Sequence, residues 1–117
     1  MPESEKLKLR SKRFALEVIH LFRSLPRSEE ARVLGRQMLR SGTSVAANYR
    51  AVCRARSRAE FVAKIGIVVE EIDETVFWME LLREAGVVPE RTLAIPLREA
   101  NELLAIFAAS QRTARRN

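Results

Sequence analysis

Side chains that could carry out catalysis are few and isolated in this sequence. Its one histidine, His20, follows Glu17 at the Glu-x-x-His spacing that di-iron bundles use twice. Because the spacing occurs once, the sequence predicts no di-iron centre and a surface or boundary position for His20. Cys53, the one cysteine, has no second cysteine for a disulfide or metal site and no histidine near it in sequence to act as a base. We expect it to be a small buried hydrophobic side chain.

Carboxylates concentrate in one segment. Residues 59–88 carry 7 Asp or Glu against 2 Lys or Arg. Glu70 and Glu74 share a helical face, as do Glu80 and Glu84, and such pairs could serve as acid and base. We favour ion pairing between helices, with arginines of the preceding helix at Arg36, Arg40, Arg50 and Arg54. The sequence thus indicates a protein that is not an enzyme and that needs no cofactor and no metal.

Cations dominate the first half of the chain. Residues 1–58 carry 14 Lys or Arg against 5 Asp or Glu, and the whole chain has a formal net charge of +6. Arginine binds carboxylate and phosphate alike, so pairing within the chain, a nucleic-acid face and an acidic protein partner all stay open. The candidate nucleic-acid-binding residues are Arg10, Lys12, Arg13, Arg50, Arg54, Arg56, Arg58, Arg112, Arg115 and Arg116. No aromatic residue interleaves with the dense group at 54–58, so we expect phosphate contacts without base stacking.

The composition is that of a soluble globular protein. Hydrophobic residues make up 47% and charged residues 31% of the chain. The longest apolar run, Leu103–Ala109, has 7 residues, far fewer than the ~20 that a membrane-spanning helix needs. The N-terminus lacks the apolar segment of a signal peptide. We therefore expect a cytoplasmic protein with no membrane contact.

Four segments show the apolar spacing of helices. The first is predicted over 5–25, where Pro26 ends it, and the second over 28–54 with Ser28 as its N-cap. The third is predicted over 57–85, from a capping box at Ser57 and Glu60 to a C-terminal glycine.

The fourth helix is predicted over 89–112, with a break at Pro96 and a disordered basic tail at 113–117. Long helices with short connections give an all-α fold, an antiparallel up-down-up-down four-helix bundle that occupies residues 1–117 as a single domain.

Small and polar residues interrupt the second helix at 41–44. The run Ser-Gly-Thr-Ser could be a loop, but the apolar face stays in phase across it, so we favour a continuous or kinked helix. Asn48 is a candidate buried amide, and we expect Glu71 or Glu74 to be its partner.

The third helix is apolar on more than one side. In a bundle of four helices no helix is fully surrounded, so the excess apolar surface predicts contact with another subunit. The residues assigned to this oligomer surface are Phe61, Ile65, Val68, Phe77, Trp78 and Leu81.

Three stretches carry a family resemblance: QMLRSGTSVAANYRA at 37–51, RAEF at 58–61 and VEEIDET at 69–75. They resemble the bacterial "four helix bundle protein" family, which includes proteins encoded in intervening sequences of large-subunit rRNA genes and accessory proteins of diversity-generating retroelements. The resemblance spans about residues 10–112.

The resemblance implies a bundle that assembles as a homo-oligomeric ring, commonly a pentamer. For the retroelement branch it also implies a surface that binds RNA or DNA and a partner reverse transcriptase or other nucleic-acid enzyme. The family's polar motif residues correspond to Arg40, Ser44, Asn48 and Glu74, and we interpret them, with Glu71, as a structural network between helices two and three. The leading hypothesis is an oligomeric bundle that binds nucleic acid without sequence preference. The alternative is a protein–protein scaffold with no nucleic-acid role.

Overall fold

The chain folds into four antiparallel helices. A computed structural model describes residues 1–116 and contains α1 (Glu3–Ser24), α2 (Glu29–Val52), α3 (Arg58–Glu84) and α4 (Glu90–Arg116). Each helix packs on its neighbour in the sequence, and α1 also contacts α4, which closes the bundle. This confirms the predicted all-α up-down-up-down architecture. The bundle measures 46 × 24 × 20 Å, and no helix in residues 1–116 is long and apolar enough to cross a bilayer.

Local signals set the helix ends as predicted. Ser28 and Ser57 precede α2 and α3, and each hydroxyl accepts a hydrogen bond from the backbone N–H three residues later, at 3.2 and 3.0 Å. Gly86 follows α3 with a φ of +69°, a conformation that glycine adopts without strain. The N–H of the next residue then donates to the carbonyl of Leu82 at 3.0 Å, which ends the helix.

The core consists of one apolar row from each helix. Tyr49 of α2 packs on Phe107 of α4 with ring centroids 5.2 Å apart, so opposite corners of the bundle meet in its interior. The largest fully buried side chains are Phe14, Val18, Met38, Val45, Ile65, Val68, Ile72, Met79, Leu82, Leu93, Leu103 and Phe107.

α2 is continuous through residues 41–44, as favoured. The hydroxyls of Thr43 and Ser44 donate to carbonyls four residues earlier, at 2.8 and 2.7 Å, so these poor helix formers bond within the helix. Gly42 lets α1 come close, because a Cβ there would lie 2.9 Å from both γ-carbons of Val18.

The predicted break at Pro96 was wrong. α4 is unbroken from Glu90, and Pro96 lies in its second turn. The ring removes one backbone donor, whose partner would be the carbonyl of Thr92 in the first turn. Burial of Pro96 beside Leu93 and Leu97 offsets that single absent hydrogen bond.

The predicted disordered tail was also wrong for residues 113–116, which continue α4 as helix. Thr113 and Ala114 line a depression shared with α1, so packing extends the helix beyond its apolar run. Asn117, the last residue of the predicted tail, lies outside the described residues.

Candidate nucleic-acid interface

One end of the bundle brings together the start of α1, the turn between α2 and α3, and the end of α4. A shared depression shows this directly, because it is lined by Glu3 and Leu7, by Phe61, and by one side of α4 from Ile106 to Ala114. Six arginines project from these segments, and we call them the basic end. They are Arg54, Arg56, Arg58, Arg112, Arg115 and Arg116, all of them exposed.

Two acids near the basic end are paired with lysines, whereas Glu3, which lines the same depression, forms no ion pair within residues 1–116. Glu60 pairs with Lys64 at 3.0 Å, and this ammonium holds the pKa of the Glu60 carboxyl below its usual range. Glu5 pairs with Lys8 at 3.1 Å. Among residues 1–116, none of the six arginines forms an ion pair. Six uncompensated guanidinium groups at one end are suited to binding phosphates.

The turn that carries half of this cluster is ordered. The N–H of Arg54 donates to the carbonyl of Ala51 at 3.1 Å, and that of Ala55 donates to Val52 at 3.0 Å. With Ser57 capping α3, the backbone positions of three arginines are fixed within five residues. Their side chains can therefore meet a phosphate without ordering the backbone first.

Arg10, a predicted nucleic-acid-binding residue, is engaged in ion pairs within the chain. Its guanidinium donates two hydrogen bonds to Glu99, at 2.7 and 2.8 Å, and one to Glu102 at 2.9 Å. These carboxylates raise the pKa of Arg10, and the contact joins α1 to α4. Sequence spacing could not show it, because the partners are 89 and 92 residues away.

The remaining candidates lie outside the basic end. Lys12 and Arg50 line a groove between α1 and α2, and Arg50 precedes the Arg54 turn by one helical turn. Arg13 is exposed on α1. The structure thus brings six of the ten predicted residues together.

The predicted ion pairing between α2 and α3 is formed by one arginine. Arg40 bonds to Glu74 and, at 3.3 Å, to Glu71. The indole N–H of Trp78 also donates to Glu74 at 3.1 Å, and these two donors hold the pKa of Glu74 below its usual range. Within residues 1–116 the other three arginines proposed for this role form no ion pair, namely Arg36, Arg50 and Arg54.

Ser44 and Asn48 do not join this network. Ser44 bonds to the Arg40 carbonyl, and the Asn48 amide donates to the Ser44 carbonyl at 2.8 Å. The predicted bond from Asn48 to Glu71 or Glu74 was wrong, because the amide is half-buried and finds its acceptor one turn back on its own helix.

One buried polar contact joins α2 to α3, and it was not predicted from the sequence. The hydroxyls of Ser41 and Thr75 lie 2.8 Å apart, and both residues are fully buried. A signal was present, since Ser41 follows Met38 by three residues and Thr75 follows Ile72 by three, which puts both hydroxyls on core faces.

The predicted oligomer surface divides into two groups. Ile65 and Val68 are 0% exposed and belong to the core of the chain itself, so assigning them to an oligomer surface was wrong. Helical phase gives the reason: they face α2 and α4, the helices that pack on either side of α3. Phe61 is half-buried in the depression at the basic end.

The other group lies on the side of α3 that no helix covers. Phe77 is 49% exposed and packs edge-on against half-buried Trp78, with ring centroids 5.0 Å apart. Leu81 is half-buried. Ile67, which was not among the predicted oligomer-surface residues, is 46% exposed. We call Ile67, Phe77, Trp78 and Leu81 the outer face of α3.

The side chains considered for catalysis are dispersed. His20 is exposed, as predicted. Cys53 is also exposed, so its predicted burial was wrong; it occupies the C-cap of α2, where the chain turns away from the core. Within residues 1–116, no three His, Cys, Asp or Glu side chains cluster closely enough to hold a metal ion.

The side chain of Glu17 is in an environment that disfavours its ionised form. Its Oε1 is buried without a hydrogen-bond partner among residues 1–116, and burial followed by the charge of Glu99 raises its pKa. The ionised form therefore opposes folding at neutral pH, and this penalty vanishes as pH falls below the unfolded-state pKa of about 4.3.

We expect Glu17→Gln to stabilise the protein at pH 7, because the amide carries no charge for burial and the Glu99 carboxylate to disfavour. The gain should shrink towards zero at pH 4. Urea unfolding of parent and variant at both pH values measures it. A gain that is equal at pH 4 and pH 7 would contradict the titration of Glu17 as its source.

Comparisons with known proteins agree with this architecture. The sequence model described as "23S rRNA-intervening sequence protein" matches residues 4–109. A crystal structure from Bacteroides thetaiotaomicron VPI-5482, described as a protein with unknown function from the S23 ribosomal protein family, is 29% identical and superposes with a TM-score of 0.86. The match covers 95% of this chain and 99% of that one. No curated protein of assigned function matches the sequence.

Proposed function

The chain belongs to the 23S rRNA-intervening sequence protein family, and on that premise we propose that it is a non-enzymatic bundle that assembles with copies of itself and binds RNA or DNA through phosphate contacts. The observation that supports nucleic-acid binding is the basic end, six exposed arginines without ion pairs in the described part of the chain. Like charges held together repel one another, and an anionic partner relieves that repulsion.

Phosphates fit this end better than an acidic protein does. Three arginines lie within five residues of one ordered turn, and three more lie within the last two turns of α4. A nucleic-acid backbone presents one charge for each nucleotide, so several of these groups can be neutralised together with release of counterions. None of the six is accompanied by an exposed aromatic ring for base stacking, which favours binding without sequence preference.

The test replaces Arg54, Arg56 and Arg58 together by glutamine. We expect the parent to bind single- and double-stranded oligonucleotides at low salt. The logarithmic salt slope of the triple variant should fall by about 2 to 3, because each phosphate that an arginine no longer neutralises lowers the slope by close to one. Fluorescence anisotropy at two or more salt concentrations measures the affinity and the slope.

A matched control removes three exposed, unpaired arginines from elsewhere, at Arg36, Arg91 and Arg98. The control should retain most of the affinity. Absence of binding at low salt would exclude the proposal, and an equal loss in both triple variants would show that net charge alone matters. Partner proteins that stay bound at high salt in the absence of nucleic-acid binding would instead support the scaffold function.

Self-association is supported by the outer face of α3. Its four apolar residues are interspersed with Glu70 and Asp73, both exposed, so the face combines apolar and acidic character. On the far side of the bundle, the groove between α1 and α2 has a volume of about 360 Å³ and an apolar floor of Leu9, Ala46 and Ala47. Cations outnumber acids around that floor: Lys8 pairs with Glu5, and Lys12 and Arg50 form no ion pair within residues 1–116.

The two surfaces are complementary in charge and in apolar content. A contact between the outer face of one copy and the groove of the next is heterologous, and such contacts close into rings when the rotation between copies allows it. In this arrangement Lys12 and Arg50 contact a second copy rather than nucleic acid. The family resemblance favours a ring of five copies. Such a ring would repeat the basic end around one axis and strengthen the positive electrostatic potential there.

An accessory role beside a reverse transcriptase or another nucleic-acid enzyme is part of the same proposal. A ring of basic ends would hold a nucleic-acid strand near such an enzyme and raise its local concentration.

A further inference from the structure

A second cationic site lies at the opposite end of the bundle from the basic end. The turn between α1 and α2 borders a half-open cavity of about 520 Å³, a volume within the range of small-molecule sites. The residues that line it are Phe22, Arg23, Leu25, Pro26, Arg27, Ala31 and Arg32. No candidate residue for nucleic-acid binding is among them.

Three of these seven residues are arginines, and none is acidic. Among residues 1–116, Arg23, Arg27 and Arg32 form no ion pair. The nearest acids in sequence, Glu29 and Glu30, line a separate depression with Val33 and Leu34. Three exposed arginines without ion pairs thus line one cavity, which suits an anion with at least two charges.

The rest of the lining is apolar and firmly placed. Phe22 and Leu25 press against α2 at Gly35, where a Cβ would lie 2.6 Å from Leu25 Cδ1 and 3.3 Å from the Phe22 ring. Pro26 stiffens the turn because its φ is fixed. A bare inorganic anion would leave the apolar side of the cavity in contact with water. A ligand with a planar or apolar body would cover it.

We propose that this cavity binds a small phosphate ester with a planar body, the chemistry of a nucleotide. The phosphates contact Arg23, Arg27 and Arg32, and the ring lies against Phe22 and Pro26. The site is independent of the proposed nucleic-acid function, because it shares no residue with the basic end and lies at the other end of the helices.

Isothermal titration with three probes tests the proposal: ATP, inorganic tripolyphosphate and adenosine. We expect ATP to bind about tenfold more tightly than tripolyphosphate, which has the same number of phosphates, since stacking of one base contributes about that factor, and adenosine to bind undetectably. Arg23→Gln, Arg27→Gln and Arg32→Gln together should abolish ATP binding. The control triple at Arg36, Arg91 and Arg98 has the same net charge and should retain it.

Circular dichroism of each variant establishes that it is folded, and the Arg54, Arg56 and Arg58 triple variant should bind ATP as the parent does. Three results would overturn the proposal. The first is an absence of ATP binding to the parent at low salt, and the second is an equal loss in the two arginine triples. The third is equal affinity for ATP and tripolyphosphate, which would mean that the apolar residues of the cavity contact no ligand. Retention of ATP binding with loss of oligonucleotide binding in the basic-end variant separates this site from the proposed function.

Discussion

Gly42→Leu is expected to destabilise the protein by about 3 kcal/mol, the upper range for overpacking a core. A Cβ at this position would already lie 2.9 Å from both γ-carbons of Val18, which is 0% exposed. Valine is branched at Cβ and stiff, so its methyl groups cannot rotate away, and α1 and α2 must separate. For a domain of this size the melting temperature should fall by about 15 °C.

Gly66 supplies the matched control. A Cβ there would lie 2.9 Å from Gln111 Nε2, the far end of a flexible, half-buried side chain that can move. Gly66→Ala should therefore stabilise α3 by about 0.5–1 kcal/mol through the higher helix propensity of alanine. Thermal unfolding compares the variants with the parent, and unchanged melting of Gly42→Leu would contradict close packing of α1 on α2 at this point.

The sequence was most informative where the signal is local. The caps at Ser28 and Ser57 and the positive φ of Gly86 depend on a few adjacent residues, so their chemistry predicted the helix ends correctly. The predicted break at Pro96 was wrong because the effect of a proline depends on its position within the helix. A proline in the second turn removes one hydrogen bond, and burial in the core, which no local pattern reveals, outweighs that loss.

Contacts between helices that are far apart in the sequence could not be predicted from the sequence. Arg10 is one of many exposed-looking cations in the first half of the chain, and nothing near it indicates Glu99 as its partner. Ile65 and Phe77 show the same difficulty in a helix that is apolar on several sides. Periodicity identifies that helix as rich in apolar surface, but which side becomes core depends on where α2 and α4 lie.

The basic end could be predicted in part, because two of its segments are dense in arginine. The distance in sequence between residues 54–58 and residues 112–116 hides the fact that they meet. The antiparallel course of four helices with short turns supplies that link, since it returns the end of α4 to the end of the bundle where α2 passes into α3. The predicted fold class therefore implies that these two arginine-rich segments lie at the same end of the bundle.

Phe77→Arg is expected to convert the proposed ring into monomers. The substitution removes the most exposed aromatic of the outer face of α3 and places a cation opposite the groove lined by Lys8, Lys12 and Arg50 of the next copy. Loss of apolar burial and like-charge repulsion then act together, and each interface of a heterologous ring carries the same defect. Light scattering over a range of protein concentrations measures the mass of the assembly.

Ile95→Arg is the matched control, because Ile95 is 67% exposed and belongs to neither proposed surface. It should leave the assembly intact. Ile95→Arg should unfold at the melting temperature of the parent assembly, and Phe77→Arg should remain a folded monomer, since neither side chain belongs to the core of the chain. A parent that stays monomeric at high concentration, or a Phe77→Arg variant that keeps the mass of the parent assembly, would exclude the outer face of α3 as the contact. Dissociation confined to Phe77→Arg would support a contact in which the acidic and apolar α3 of one copy meets the cationic groove of the next.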